Sequence, residues 1–477
     1  MVQKMKITEI MKTSFLIQLL RVLSPDDQPR LRKFLQSPYF NHQPEVLLLY
    51  ENLLHYRKND YAGVEKPILF ARVYPGAPYD NRKMNHLVSD LTALVERFFT
   101  LEEIRADDAL MALRRCRALR KRGVAQLFER DLDLLERRHR ESPYRDSAYF
   151  LYAYELQNER YAWEALRTRE AHVHIPRAAA ALAGFFMLEN LRWACTAQSV
   201  KAVSAVGREY AIPMSETVLN ESIHIPESDN PALALLRQAL LTLGDNENEA
   251  HFQRLEALLR RYIHLLPPPQ ARDIFMAAIN FAIRRHNRGE VQYTRAALAL
   301  YREALDRNVL TENGLLPKYT FINIFNLAQL GGERDWALAF IDRYRSLLPA
   351  ADRDNIHRYC LAGWYFRKGD YPQVLELLRS VEFTEVFINL DVRKMLLRSY
   401  FELGEWPALG SLLDSFSAYL KRQKNIGYHR EGYLNLIRFT KKLARAEGLP
   451  RARAKVLANR IRETKFVTER EWLLEKI

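Results

Sequence analysis

Leu361-Ala362-x-x-Tyr365-x-x-x-Gly369-Asp370-Tyr371-x-x-Val374 is answered 35 residues later by Leu396-Leu397-x-x-Tyr400-x-x-x-Gly404-Glu405-Trp406-x-x-Leu409. In each copy apolar residues recur at helical spacing, a glycine–acid–aromatic corner follows, and a second apolar helix begins. The same helical hairpin is written twice. One hairpin cannot bury its own apolar face, so the pattern constrains the chain to stack such units on one another. An architecture of that kind acts by offering a surface rather than by chemistry.

Composition points the same way. Only 17 of 477 residues are glycine while Leu, Ala, Arg and Glu abound, which favours helix over sheet. No alternating run bounded by turn residues is long enough for a sheet. The expected fold class is all-α, a helical-hairpin α-solenoid preceded by a compact N-terminal helical bundle. Ser24-Pro25-Asp26-Asp27 has the form of a helix start, with a capping hydroxyl, proline at the first helical position and acids facing the dipole. Gln36-Ser37-Pro38 ends that helix, and the next spans 46–56. After the break Pro75-Gly76-Ala77-Pro78, Asp80 is placed to cap a long helix to about Glu103. Its Met84, Leu87, Val88, Leu91, Leu94, Val95 and Phe98 form one apolar stripe. A helical pair over 107–140 turns at Gly123, and Ser142-Pro143 closes the bundle. Long helices follow over 145–170 and 177–208, residues 212–231 read as an irregular connection, and paired helices over 231–243 and 250–265 break at Pro267-Pro268-Pro269. The expected domains are a bundle over 1–142, irregular hairpins over 143–276, repeats over 277–420 and a basic helical cap over 421–477.

The repeated hairpin resembles the tetratricopeptide repeat, a unit of two antiparallel helices and about 34 residues. Leu361, Ala362, Tyr365, Gly369, Tyr371 and Val374 fall on that family's signature positions. So do Leu396, Leu397, Tyr400, Gly404, Trp406 and Leu409, with Leu378 and Leu413 one turn further on. The small residue lets helices approach, the glycine allows the turn, and the aromatic plugs the junction. The match covers about residues 320–420 and decays upstream. Trp336 follows a longer turn, Gly331-Gly332-Glu333-Arg334-Asp335, and Gly289 to Ala296 with Tyr293 gives a weaker echo. The resemblance implies a concave surface lined by the first helix of each repeat. Carried onto this chain, it places Lys394 and Arg398 on one helix face, with Tyr359, Gly363 and Arg367 on the matching face of the preceding unit. Two cations beside an aromatic suit a carboxylate or an acidic peptide. The asparagine usual among that family's carboxylate contacts is absent from these positions.

Charge is unevenly spread. Between 421 and 465, fourteen Lys or Arg face three Glu, so this window holds +11 of the formal +14. Candidate anion contacts there are Lys441, Lys442, Arg445, Arg451 and Arg453, interleaved with Tyr428, Tyr433 and Phe439, aromatics of the kind that stack on bases. A second run, Arg114, Arg115, Arg117, Arg120, Lys121 and Arg122, contains no acid, and Arg114, Arg115 and Arg117 are candidate phosphate contacts. The plainer reading of the C-terminal charge is a solvated polar cap on the last repeat, needed for solubility, and Leu434, Leu436, Ile437, Leu443 and Leu457 suggest that the aromatics mostly serve the core.

No GxxxxGK[ST], GxGxxG, GxSxG, HExxH or paired CxxC occurs, so nothing in the sequence calls for catalysis, a cofactor or a metal. In His172-Val173-His174 the two imidazoles point apart on a helix, and no third ligand is evident. Cys116, Cys195 and Cys360 are odd in number and far apart, which fits a reducing compartment. Lys4, Lys6 and Lys12 precede a short apolar run that Arg21 ends without a small-residue cleavage site, unlike a signal peptide. The run Ala178–Leu188 is too short to span a bilayer. The expected protein is cytoplasmic, without integral membrane association. Its expected role is a non-catalytic scaffold or adaptor that binds a protein or peptide, acidic ones included. The alternative is a nucleic-acid-associated protein or regulator using the patches at 421–465 and 114–122.

Overall fold

The computed structural model describes residues 14–203, 210–379, 381, 383, 385–423, 428–444 and 451–477. These residues are all-α, with twenty-three α-helices, and their sole β pairing is an isolated bridge between Glu312 and Leu315. In chain order the first are α1 (Phe15–Val22), α2 (Asp27–Gln36), α3 (Pro44–Leu54), α4 (Lys66–Val73), α5 (Asn81–Ala106), α6 (Asp108–Lys121), α7 (Ala125–Arg140), α8 (Ser147–Glu164) and α9 (His174–Val203). Next come α10 (Ser215–Ser222), α11 (Pro231–Gly244), α12 (Glu249–Tyr262), α13 (Pro268–Asn287), α14 (Gln292–Asp306), α15 (Lys318–Leu330) and α16 (Arg334–Tyr344). The chain continues through α17 (Arg353–Lys368), α18 (Tyr371–Leu378), α19 (Val386–Glu402), α20 (Trp406–Arg422), α21 (Tyr428–Ala444), α22 (Arg451–Glu463) and α23 (Arg470–Glu475). Two compact units result. The described residues up to Ser142 together with Tyr152–Ala181 form one, and Pro143–Leu151 with those from Leu182 onward form the other.

In the first unit, local chemistry sets most helix ends. The Asp80 carboxylate accepts from the N–H groups of Arg82 and Lys83 at 2.8 and 3.1 Å, which starts α5. Met84, Leu87, Leu91, Val95 and Phe98 of its stripe are buried, packed with α1 and α3, while Val88 and Leu94 are partly buried. Helix α2 begins two residues later than Pro25 suggests. The Ser24 hydroxyl accepts from the Asp27 N–H at 3.1 Å and the Asp27 carboxylate accepts from the Ser24 N–H at 2.8 Å. This reciprocal box leaves Pro25 and Asp26 in the turn before the helix. Helices α6 and α7 pack across Gly123, whose φ is +71°, and share a small core of Leu113, Cys116, Phe128 and Leu132 with Leu156 and Trp163.

In the second unit, helices pair in sequence: α11 with α12, α13 with α14, α15 with α16, α17 with α18, α19 with α20. Each first helix also meets the first helix of a neighbouring pair, α11 on α13, α15 on α17 and α17 on α19. Four of these pairs turn on a glycine at positive φ: Gly289 (96°), Gly332 (82°), Gly369 (81°) and Gly404 (71°). That left-handed conformation ends one helix and frees the chain to double back. An acid follows every one of them: Glu290, Glu333, Asp370, Glu405.

The upstream pair looks weak in sequence because its aromatic stands three residues after the acid instead of one. It is held differently. Arg285 pairs with Glu290 and lies over the Tyr293 ring, and Arg302 pairs with Glu333 and lies over Trp336. Most of the unit shares one core from Leu188 to Met395, and a second core runs from Leu390 to Leu473.

Some expectations need correction and others gain detail. The stretch 212–231 contains α10, whose eight residues carry too few apolar positions to announce themselves. The triple proline opens α13 as well as ending the preceding turn, since Pro268 stands at its first position, where a missing N–H costs nothing. Trp406 is 41% exposed and meets Phe401 edge-on at 5.5 Å, so it borders the hairpin junction instead of plugging it. Part of the helix expected over 177–208 lies outside the described residues. The run Ala178–Leu188 is the middle of a longer helical stretch, Glu170–Lys201. That stretch is long and apolar enough to cross a membrane by length and composition, with 22% of its most apolar window buried. The cysteines are free, Cys116 and Cys360 buried and Cys195 partly so.

Candidate functional site

The second unit holds a cavity of about 580 Å³ built from the first helices of three successive pairs. Phe325 and Leu330 come from α15, Tyr359, Gly363, Phe366 and Arg367 from α17, and Asp391, Lys394 and Arg398 from α19. Asn326 of α15, Met395 of α19, Arg334 and Glu469 complete the wall. The close approach of α17 to α15 depends on Gly363, where a Cβ would stand 3.3 Å from the Phe325 ring. Arg367 lies in the last turn of α17, where the helix dipole favours a cation. Asp391, Lys394 and Arg398 follow at steps of three and four, so all three share the face of α19 that looks into the cavity.

The polar groups interlock. Tyr359, 7% exposed, donates its hydroxyl to the Asp391 carboxylate at 2.7 Å. Lys394 Nζ lies 2.5 Å from the other Asp391 oxygen and 3.8 Å from Glu469. Arg398 reaches Glu469 at 3.0 Å and spreads over the Phe366 and Trp472 rings. Burial and the neighbouring Asp391 both push the Tyr359 phenol well above its usual range. Burial works to lower the Lys394 ammonium, but Asp391 and Glu469 outweigh it and the group stays firmly charged, its pKa raised. Arg367 goes the other way. Burial lowers its pKa, and the attraction of Asp391 and Glu469 does not make up the loss. The cavity therefore carries four cations against two carboxylates, and the charge left over sits on the Arg334–Arg367 side.

Tyr359, Arg367, Lys394 and Arg398, drawn from two helices, thus line one cavity. Asp391, Glu469, Arg334 and Phe366 were missed. Asp391 was within reach, since an acid three residues before a lysine on one helix is a standard pairing. Glu469 was not, because it lies 71 residues from Arg398.

The basic candidates are placed less favourably. Arg115 pairs with Asp131 at 2.8 Å, Arg117 and Arg120 both pair with Glu159, and Arg114 is exposed on α6. Lys441 pairs with Asp414 at 2.6 Å, and Lys442 and Arg453 are exposed. Arg445 lies outside the described residues, as does the side chain of Arg451. Of the interleaved aromatics, Phe439 is fully buried, Tyr433 is partly buried against the same core, and the side chain of Tyr428 lies outside the described residues. His174 is satisfied by Gln157 at 3.0 Å and Glu164 at 2.9 Å, and among the described residues no cluster of metal-ligating side chains forms.

Searches with the whole chain found no matching family model, curated protein or solved structure.

Proposed function

We propose that this chain is a non-catalytic scaffold whose tetratricopeptide-like hairpins stack into an α-solenoid and present a groove to an acidic protein segment. One observation carries the reading. Three successive first helices, α15, α17 and α19, contribute to one cavity, which is how a stacked array makes a continuous groove. Its excess of arginine and lysine suits carboxylates, and Phe325 and Phe366 offer apolar contact beside them. The reading that uses basic patches for nucleic acid draws less support, because Phe439 is fully buried and Tyr433 packs against the same core, which leaves neither ring free to stack on bases.

The test is binding of a fluorescein-labelled hexaglutamate peptide, followed by anisotropy. The double reversal Lys394→Glu with Arg398→Glu is expected to weaken binding about 100-fold, the loss of two charge-assisted hydrogen bonds. Neutralising Lys442 and Arg453 should change it less than twofold. The opposite ranking, with a labelled oligonucleotide binding tightly at low salt and releasing steeply as salt rises, would move the function to the basic patches.

A further inference from the structure

Glu469 does not belong to the helices that build the groove. It follows α22 and immediately precedes α23, yet its carboxylate reaches Arg398 and Lys394 on α19. Its backbone is left-handed, with φ 55° and ψ 39°. A non-glycine residue rarely adopts that conformation and is held in it only when the surroundings insist. Here they do so on both sides. Upstream, Asn435 donates to the Phe466 carbonyl at 2.8 Å and the Thr468 N–H donates to Gly432 at 3.2 Å. Downstream, Trp472 and Leu473 are buried, and the Trp472 indole N–H donates to Glu402 at 2.6 Å. The anchors fix the backbone, and one carboxylate projects from it onto the two groove cations.

The other half of the cavity has no such occupant. Among the described residues, neither Arg334 nor Arg367 has a carboxylate within ion-pair distance, although both line the same space. An arriving acidic segment would meet two exposed arginines and two partly buried, occupied cations in one cavity. Only the Glu469 side chain has to turn away to free Arg398 and uncover Lys394, which stays paired with Asp391, because Trp472 and Leu473 keep the segment seated.

We infer that Glu469 is an internal occupant of the groove, standing where a partner's carboxylate binds, so that an acidic peptide engages Lys394 and Arg398 by displacing it. This rests on the acidic-segment reading of the same cavity. An occupant present nine-tenths of the time lowers apparent affinity about tenfold.

The experiment compares hexaglutamate binding by the full chain, by Glu469→Gln, which keeps the side chain's size, and by Glu469→Gly, which removes the carboxylate and also relieves the left-handed backbone. Glu471→Gln, an exposed acid of the same segment, is the control, and thermal melts check that each variant is folded. The expected result is about tenfold tighter binding by both Glu469 variants and no change for the control. Binding by the unaltered chain that is equal to or tighter than that of both Glu469 variants would overturn the inference while leaving the acidic-segment reading in place. Equal tightening by Glu471→Gln would overturn it too, reducing the effect to net charge. No binding by any of the four would overturn both.

Discussion

Replacing Phe281 by alanine is expected to cost about 4 kcal/mol and to confine the damage to neighbouring hairpins. The side chain is fully buried, stacked on Phe252 with ring centres 4.9 Å apart, and it meets Tyr293 edge-on at 5.9 Å. Truncation loses the transfer free energy of a benzyl group and leaves a cavity, a change that costs about 3–5 kcal/mol in well-packed cores. Two ring–ring contacts of about 0.5–1.5 kcal/mol each are lost with it. The three rings stand on α12, α13 and α14, so one residue ties two consecutive pairs together. In a stacked array each unit leans only on its neighbours. Amide hydrogen exchange should therefore accelerate over residues 231–306 while α19 and α20 keep their protection. Equal loss of protection throughout the second unit would mean a single cooperative core and would count against the solenoid reading.

The second large effect lies in the first unit. Glu159 is 2% exposed and accepts from Arg117 at 2.5 Å and Arg120 at 2.7 Å. Burial alone would raise its pKa, but the hydrogen bonds from Arg120 and Arg117 outweigh burial and hold the carboxyl below its usual value. Glu159→Ala leaves two guanidinium groups facing each other without a counter-ion, which in a buried pair costs about 3–5 kcal/mol. The arginines keep 31% and 24% side-chain exposure, so solvent screens part of the repulsion. The expected cost is about 3 kcal/mol by denaturant unfolding. The pH dependence has a definite sign. A carboxyl whose folded pKa lies below its unfolded value of 4.5 stabilises fully above that value, and loses the contribution as pH falls through the folded one. The stability gap between the wild-type chain and Glu159→Gln should be full at pH 7 and close in strong acid. A gap that persists there would assign the effect to packing alone.

These two sites show what the sequence could reveal. The helices, the Asp80 cap and the glycine turns were legible because each is decided within a few residues, by spacing, by a side chain three positions away or by one φ angle. The run of six basic residues at 114–122 was legible only as composition. Its ion pairs depend on Asp131 and Glu159, which the fold carries in from α7 and α8. The cavity divided the same way: the resemblance pointed to Lys394 and Arg398, and their helical spacing put them on one face, whereas Glu469 arrives from far along the chain. Helix α10 left no trace beyond a serine and two apolar residues, so a short helix held by its neighbours passed for a loop.

The buried thiols described above give this protein two clocks of its own. Burial pushes Cys116 up to about 11 and Cys360 well above the usual thiol range, so neither presents a thiolate to a neutral alkylating reagent while its surroundings are closed. Cys116 lies in the first unit and Cys360 in the second. The rate at which each is labelled then measures how often its own unit opens. Mass spectrometry of the labelled peptides would read the two opening rates from one unaltered chain, without any engineered probe.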